Sequence, residues 1–403
     1  MRLPSDADSS GRTFGAEEVE LLKQVIDSGT LNCTKGTQVK AFEKDFAALY
    51  GVPHCRAVTS GTAAMHTTFA AVDPEPGDEI ITTSITDMGA LTPIIYQGAI
   101  PVFADVDPVS LNVTPETVLA KITPRTRAIV VTHIFGNPCD TEGIMKVAQD
   151  RGIPVIEDCA QSYLAMQNGR LTGTIGDIGA FSLQQGKHMS TGEGGMVVTN
   201  SDAYGRRMVL FSDKAWGYGD PNPDHYFLAL NYRMTELQGA VARAQLTKVK
   251  GVVEARQTTA NHLTSLLKDV EGLTLPSTLP GCTHVYWKYP LIVDPNVIEG
   301  GSDAFGAELK KNGVFCAPRY IQKPAFECMV LRDRNTFGRS EWPFSLRPEI
   351  RYDRAEYPGT IQGLDRVVVL PWNEKYTDEH VEFIAKVVRE AAVKLSSRVA
   401  VGV

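Results

Sequence analysis

Three short segments carry side chains whose types and spacing could do chemistry. The first is Phe181-Ser182-Leu183-Gln184-Gln185-Gly186-Lys187, followed by the turn Gly192-Glu193-Gly194-Gly195. A lysine becomes a nucleophile when burial or a neighbouring cation depresses its pKa, and a strand end followed by a glycine turn is an unusual place for one. Ser182, five residues earlier, can offer its hydroxyl to a phosphate. The second segment, Glu157-Asp158-Cys159-Ala160-Gln161, follows the apolar run PVI. A carboxylate leaving the C-terminal end of a parallel strand faces the crevice where α/β proteins bind ligands. There it can keep a pyridinium nitrogen protonated and so turn the ring into an electron sink. The third, Ser60-Gly61-Thr62-Ala63-Ala64, joins a strand (RAVT) to a helix (AAMHTTFAAV). Glycine at that junction lets backbone N–H groups point at an anion, and the helix N-terminus adds partial positive charge. Each segment also has a plain reading: a surface lysine, an aspartate capping a turn, and a Ser-Gly-Thr helix cap. Their order along the chain favours a site over these alternatives.

Such groups need elements to position them. The runs RAVTS, DEIITTS, PVFADV, RAIVVTHIF, PVIED, AFSL and GMVVTN alternate with helical stretches to about residue 200. Strands separated by helices of this length imply an α/β fold with a mostly parallel, seven-stranded sheet covered on both faces. Residues 15–28 put Val19, Leu22, Val25 and Ile26 on one helical face, with Gly29 placed to end the helix. A second helix runs through KAFEKDFAALY to Gly51, and residues 234–270 read as one long helix. A smaller α+β unit follows, with a strand in HVYWKYPLIV and helices in DAFGAELKKNG and TDEHVEFIAKVVREAAVKL. The boundary is expected inside the long helix, giving a large domain of residues 1–250 and a small one of 251–403, with the first helix able to pack on the small domain. The last residues, SSRVAVGV, read as a frayed end.

Composition narrows the function classes. The 403 residues are 43% hydrophobic and 22% charged with a formal net charge of −7, ordinary for a globular protein of two or three domains. The chain shows no basic run, which argues against a nucleic-acid or anionic-membrane partner. No segment approaches the roughly 18 apolar residues that span a bilayer. The start, MRLPSDADSSGR, lacks the apolar stretch of a secretory signal. Seven cysteines without CxxC or other metal spacing point to reduced thiols in the cytoplasm and to no metal site.

The order phosphate loop, Asp-x-x-Gln, then Ser-x-x-x-x-Lys with G-E-G-G resembles the DegT/StrS-like sugar aminotransferases, which are fold-type-I PLP enzymes. FEKDFAALYGVPHCRAVTSGTAAMHTTFAAV, PGDEI, GAIPVFADVDP, HIFGNPCD, GRLTGTIGDIGAFSL and NYRMTELQGAVARAQL extend the likeness over nearly the whole chain. The resemblance implies PLP as cofactor, with PMP as intermediate, and Lys187 as the Schiff-base lysine that also moves the proton. It assigns Asp158 to the pyridine nitrogen, Gln161 to the ring hydroxyl, and Gly61, Thr62 and Ser182 to the phosphate. Asn231 would reach the phosphate of the partner subunit's cofactor, which implies a homodimer with shared sites. Arg319 and Lys323 fall where family members often contact substrate, and could hold the donor's carboxylate.

One position departs from the pattern. Where the family presents an aromatic ring or histidine over the cofactor, this chain has Asp87, with Met88 beside it. A carboxylate cannot stack on a ring, so Met88 or another residue would have to cover it. Asp87 could instead receive a substrate ammonium or hydroxyl, or cap the helix DMGALTPIIYQG. His188 is a candidate acid/base group, or a packing residue, and Glu193 is expected to anchor the glycine turn by pairing with Arg233. The implied reaction moves an amino group from glutamate or glutamine to a keto-sugar or keto-cyclitol, in secondary metabolism such as antibiotic biosynthesis. The Gln184-Gln185 pair resembles members acting on cyclitols. A lyase, dehydratase or oxidative PLP reaction is the alternative that Asp87 keeps open, although the family's dehydratases carry histidine in place of the lysine. A non-catalytic regulator would be expected to have lost Lys187 or Asp158.

Overall fold

The computed structural model describes residues 1–396. The expected seven strands form one sheet, ordered His54–Val58, Gly195–Thr199, Ile178–Ser182, Val155–Asp158, Thr126–Thr132, Glu79–Thr83 and Ile100–Ala104. Gly195–Thr199 pairs antiparallel with both its neighbours, and the other pairings between adjacent strands are parallel. The C-terminal ends of the parallel strands therefore share one edge with the start of Gly195–Thr199. Buried apolar side chains lie on both faces: Phe69, Ile94 and Phe103 in one cluster, Phe42, Phe46 and Phe181 in another. Full burial of the sheet explains its continuous β-branched runs.

Downstream, Leu273–Thr274, Lys288–Val293, Val367–Pro371 and Ala317–Pro318 form an antiparallel four-stranded sheet. The helices Gly301–Lys311 and Asp378–Lys394 pack beside it, with Phe305 and Val388 sharing its core with Tyr289 and Trp372. The long helix Glu236–Leu267 serves both cores. Ala242 and Val249 pack with Phe42 and Phe46, whereas Ala260, Leu263 and Leu267 pack with Tyr289 and Phe305. Its start is fixed by a capping box between Thr235 and Gln238.

The first helix, Ala16–Ser28, ends at a left-handed Gly29 as expected, but its apolar face is not uniformly buried. Val25 is buried while Val19 and Ile26 are 66% and 60% exposed. The helix is anchored instead by the buried Glu18 carboxylate, which accepts from Lys248 (2.9 Å) and Gln245 (2.8 Å) of the long helix. Residues 5–12 lie across the junction of the two cores: Asp6 meets Arg256 (3.4 Å) and Lys288 (3.5 Å), and the Gly11 carbonyl accepts from Asn373 (3.0 Å). The frayed end expected at 396–403 lies outside the described residues except for Ser396, which bridges to Ile298. No helix among the described residues is long and apolar enough to cross a membrane.

Candidate active site

At the C-terminal edge of the large sheet, a cavity of about 290 Å³ is lined by Gly61, Thr62, Asp87, Asp158, Ser182, Gln184, Lys187 and Glu193. The three sequence segments thus meet at one place. Ser60 caps the Gly61–Val72 helix, its Oγ accepting from the Ala63 N–H at 3.0 Å, so the cap reading holds. It does not compete with an anion site, because Gly61 and Thr62 line the cavity at the helix's first turn. A Cβ at Gly61 would sit 2.7 Å from Ser182 Cβ and 2.8 Å from its Oγ, so glycine is what lets the Ser182 hydroxyl approach the helix start.

Asp158 ends its strand buried, with Oδ1 accepting from the Ala160 N–H at 3.0 Å. Burial raises its pKa, opposed by that N–H and by the charge of Lys187. Lys187 is pushed down to about 8, chiefly by burial; Asp158 and Asp87 oppose the shift and Lys288 adds to it. Asp87 both caps and lines the cavity: its Oδ1 accepts from the Gly89 N–H at 2.7 Å. The arrangement can hold a phosphorylated ligand at the helix start while presenting an amine and a carboxylate to it.

Residues 12–389 match the DegT/DnrJ/EryC1/StrS aminotransferase family. The chain belongs to this family. It is 31% identical over 392 residues to the spore coat polysaccharide biosynthesis protein SpsC of Bacillus subtilis, covering 94% of this chain and 95% of that one. It is 35% identical over 260 residues to an L-glutamine:2-deoxy-scyllo-inosose aminotransferase of Streptoalloteichus tenebrarius, covering 62% and 61%. Among solved structures, an aminotransferase from Psychrobacter cryohalolentis superposes with a TM-score of 0.84 at 29% identity, covering 96% and 98%. The protein is a PLP-dependent transferase of the fold-type-I architecture.

Other residues expected at the aminotransferase site stand apart from the cavity lining. Gln161 is buried behind it, its Oε1 accepting from the Phe135 N–H at 2.6 Å. His188 corrects the acid/base expectation: it is fully buried, its Nε2 lies 2.9 Å from the Val285 carbonyl, and burial drives its pKa well below the ordinary range. It is a packed side chain that does not line the cavity. Met88 packs against the core and is not among the residues lining the cavity. The Glu193–Arg233 pair does not form; Arg233 binds Asp213, because the Asp213–Asn231 bridge brings that carboxylate alongside. Asn231 is exposed and lines a separate hollow with Asn32, Arg233 and Thr235. Arg319 pairs with Asp365 at 3.1 Å and Lys323 is exposed, so neither faces the cavity of its own chain.

Between those two cations, Tyr320 does reach the site. Its ring meets Phe135 edge-on at 4.8 Å, and burial close to Asp87 and Asp158 raises its pKa, with Gln161 as a neighbour. Trp287 and Arg12 also touch the lysine loop: Trp287 Nε1–H donates to the Gly186 carbonyl at 2.7 Å and Arg12 to the Lys187 carbonyl at 2.9 Å. Nothing in their local spacing marks these residues; a tyrosine beside the arginine already singled out was the nearest signal.

Proposed function

We propose that the protein is a cytoplasmic enzyme that moves an amino group from glutamate or glutamine to a keto-cyclitol or keto-sugar in secondary metabolism, using PLP. The convergence of Lys187, Asp158, Ser182 and the Gly61-Thr62 turn on one cavity carries this reading. These residues fit the cofactor: the cradle at Gly61 would be filled by a Cβ, and the half-buried lysine has a depressed pKa. Bound there, PLP supplies an aldehyde that takes up amino groups and a ring that withdraws electrons from the neighbouring carbon.

The chain's own groups do the rest. The N–H groups of Gly61 and Thr62 and the Ser182 hydroxyl hold the phosphate dianion. Asp158 would pair with the pyridine nitrogen and favour its protonated form, and Gln161 would approach the ring hydroxyl. With a pKa of about 8, Lys187 has a substantial amine fraction near neutral pH, so it can attack a carbonyl and then carry a proton between adjacent atoms. We infer that residues 1–250 form the domain that carries the cofactor and that the smaller domain begins at residue 251. The cyclitol side of the acceptor class draws on Gln184 in the cavity lining and on the relative named for 2-deoxy-scyllo-inosose; the sugar side draws on the spore coat polysaccharide relative. Asp87, a cavity-lining residue at the position where the resemblance expects an aromatic ring or histidine, suits an acceptor hydroxyl or ammonium.

An absorbance scan before and after adding L-glutamine or L-glutamate tests the reaction. The visible band of the bound aldehyde form should give way to the near-ultraviolet band of the amine form. A visible band indifferent to both donors would overturn amino transfer and favour another PLP reaction.

We further infer a homodimer in which Asn231 serves the partner's cofactor phosphate. Leu228, 95% exposed, with Tyr226 and Leu230, supplies an apolar surface beside Asn231. Mixing Lys187→Ala and Asn231→Ala subunits should restore activity that neither variant has alone. Failure of mixed dimers to regain it would place Asn231 in its own subunit's site or outside the mechanism.

A further inference from the structure

Lys187 and Trp287 come from different cores. The lysine follows the Ile178–Ser182 strand of the large sheet, and the tryptophan leads into the Lys288–Val293 strand of the small one. They meet in two ways. The indole Nε1–H donates to the carbonyl of Gly186, the residue before the lysine, at 2.7 Å. The ring face stands over the lysine ammonium, with Nζ 4.2 Å from the ring centroid. Trp287 is itself held at both backbone ends: its N–H donates to the Phe135 carbonyl at 2.8 Å and its carbonyl accepts from the buried Arg256 at 3.2 Å. It is therefore a fixed platform rather than a mobile side chain.

We propose that Trp287 is a positioning residue for Lys187: its indole N–H fixes the lysine loop, and its ring face holds the ammonium whenever that nitrogen is not covalently engaged. A lysine that bonds and then leaves a carbon has to be kept within reach of it between steps, and its long stem has many rotamers to lose. An aromatic face attracts the charged form without a directional bond that would have to be broken, and it does so most strongly when water is displaced. A second cation shares the ring, since Lys288 Nζ lies 4.9 Å from the same centroid and is held by Asp6 at 3.5 Å. The other groups facing the amine are Asp158 and Asp87, which favour its charge, Lys288, which disfavours it, and Glu193 in the same cavity lining. Arg12 acts on the loop's backbone through the Lys187 carbonyl.

This inference depends on Lys187 being the working amine, but its test reads that amine directly, without turnover. The full-length chain before cofactor is added would be pulse-labelled with acetic anhydride over a range of pH, and acetylation at Lys187 quantified by peptide mass. An amine is labelled when unprotonated, so the wild-type curve should rise through a midpoint near 8. Removing a face that favours the ammonium lowers the midpoint, by about half to one unit for Trp287→Leu and by less for Trp287→Phe, which keeps a ring. Should the leucine variant fold poorly, chains made with mono- and difluorotryptophan keep the shape while weakening the face, and the midpoint should fall stepwise. Midpoints that stay at the wild-type value across Trp287→Leu and the fluorinated chains would overturn the proposal. Absence of amino transfer by the wild-type enzyme, with the predicted midpoint shifts intact in the variants, would instead count against the reaction proposed above.

Discussion

On one side of the Val155–Asp158 strand, Glu157 is fully buried and its carboxylate is supplied with donors. Oε1 accepts from the N–H groups of Ile175 (2.8 Å) and Gly176 (2.7 Å), and His133 Nε2 lies 3.1 Å from Oε2. The Cys139 N–H donates to His133 Nδ1, which assigns the ring proton to Nε2 and directs it at the glutamate. On the other side, Asp158 takes one backbone N–H, from Ala160, and lines the cavity. Two carboxylates of nearly the same chemistry, one residue apart, thus do different work. The one saturated by fixed donors is a strut that ties the strand to the following loop. The one left short of donors keeps acceptor capacity, and a raised pKa, for a ligand.

Substitutions can break this contrast in order of effect. Asp158→Asn should leave thermal unfolding within a few degrees of wild type while turnover falls roughly a hundred- to a thousand-fold, the scale of losing one well-placed electrostatic group. Steady-state kinetics beside a melting curve would show it, and near-native turnover would remove Asp158 from the chemistry. Glu157→Ala should do the reverse. Stranding two backbone N–H groups and an imidazole N–H in a dry site costs about 3–5 kcal/mol in urea unfolding, with retained activity in the folded fraction. A loss below about 1 kcal/mol would mean the strut is dispensable. The smallest effect belongs to Asp87→Asn. Its carboxylate favours the Lys187 ammonium, so removing it should lower the pH midpoint of Lys187 acetylation below about 8, by less than Asp158→Asn does. A midpoint that rises would show that Asp87 does not act on the lysine by charge.

The same contrast explains what could be read from the sequence. Glu157 and Asp158 sit in one apolar-led strand, and alternation along a strand says that they face opposite ways, but nothing local says which side is the cavity. The order of the three motifs supplied that. Seven strands and the long helix were legible because β-branched runs and an unbroken helical stretch are local signals. Tyr320, Trp287 and Arg12 were not, since each reaches the site from far along the chain and shows no periodicity of its own. Arg319 drew attention for its charge, yet Asp365 takes that charge and the neighbouring tyrosine makes the approach. The exposed Val19 and Ile26 misled for a related reason: an apolar stripe marks a helix face, whereas a buried Glu18–Lys248 pair sets how this helix docks.

The segment 5–12 has a consequence for how the protein comes into being. Arg12 grips the Lys187 carbonyl, the Asp6 carbonyl accepts from Gln185 at 2.9 Å, and the same segment is held in turn by Arg256, Lys288 and Asn373. These contacts close loops of 175 to 367 residues, the kind that form late because their entropy has to be met before they give anything back. A ribosome delivers this segment hundreds of codons before its partner Asn373. The loop bearing Lys187 therefore receives its full set of restraints only after Asn373 has emerged, so the growing polypeptide carries that lysine in an unfinished setting until the fold around it is complete.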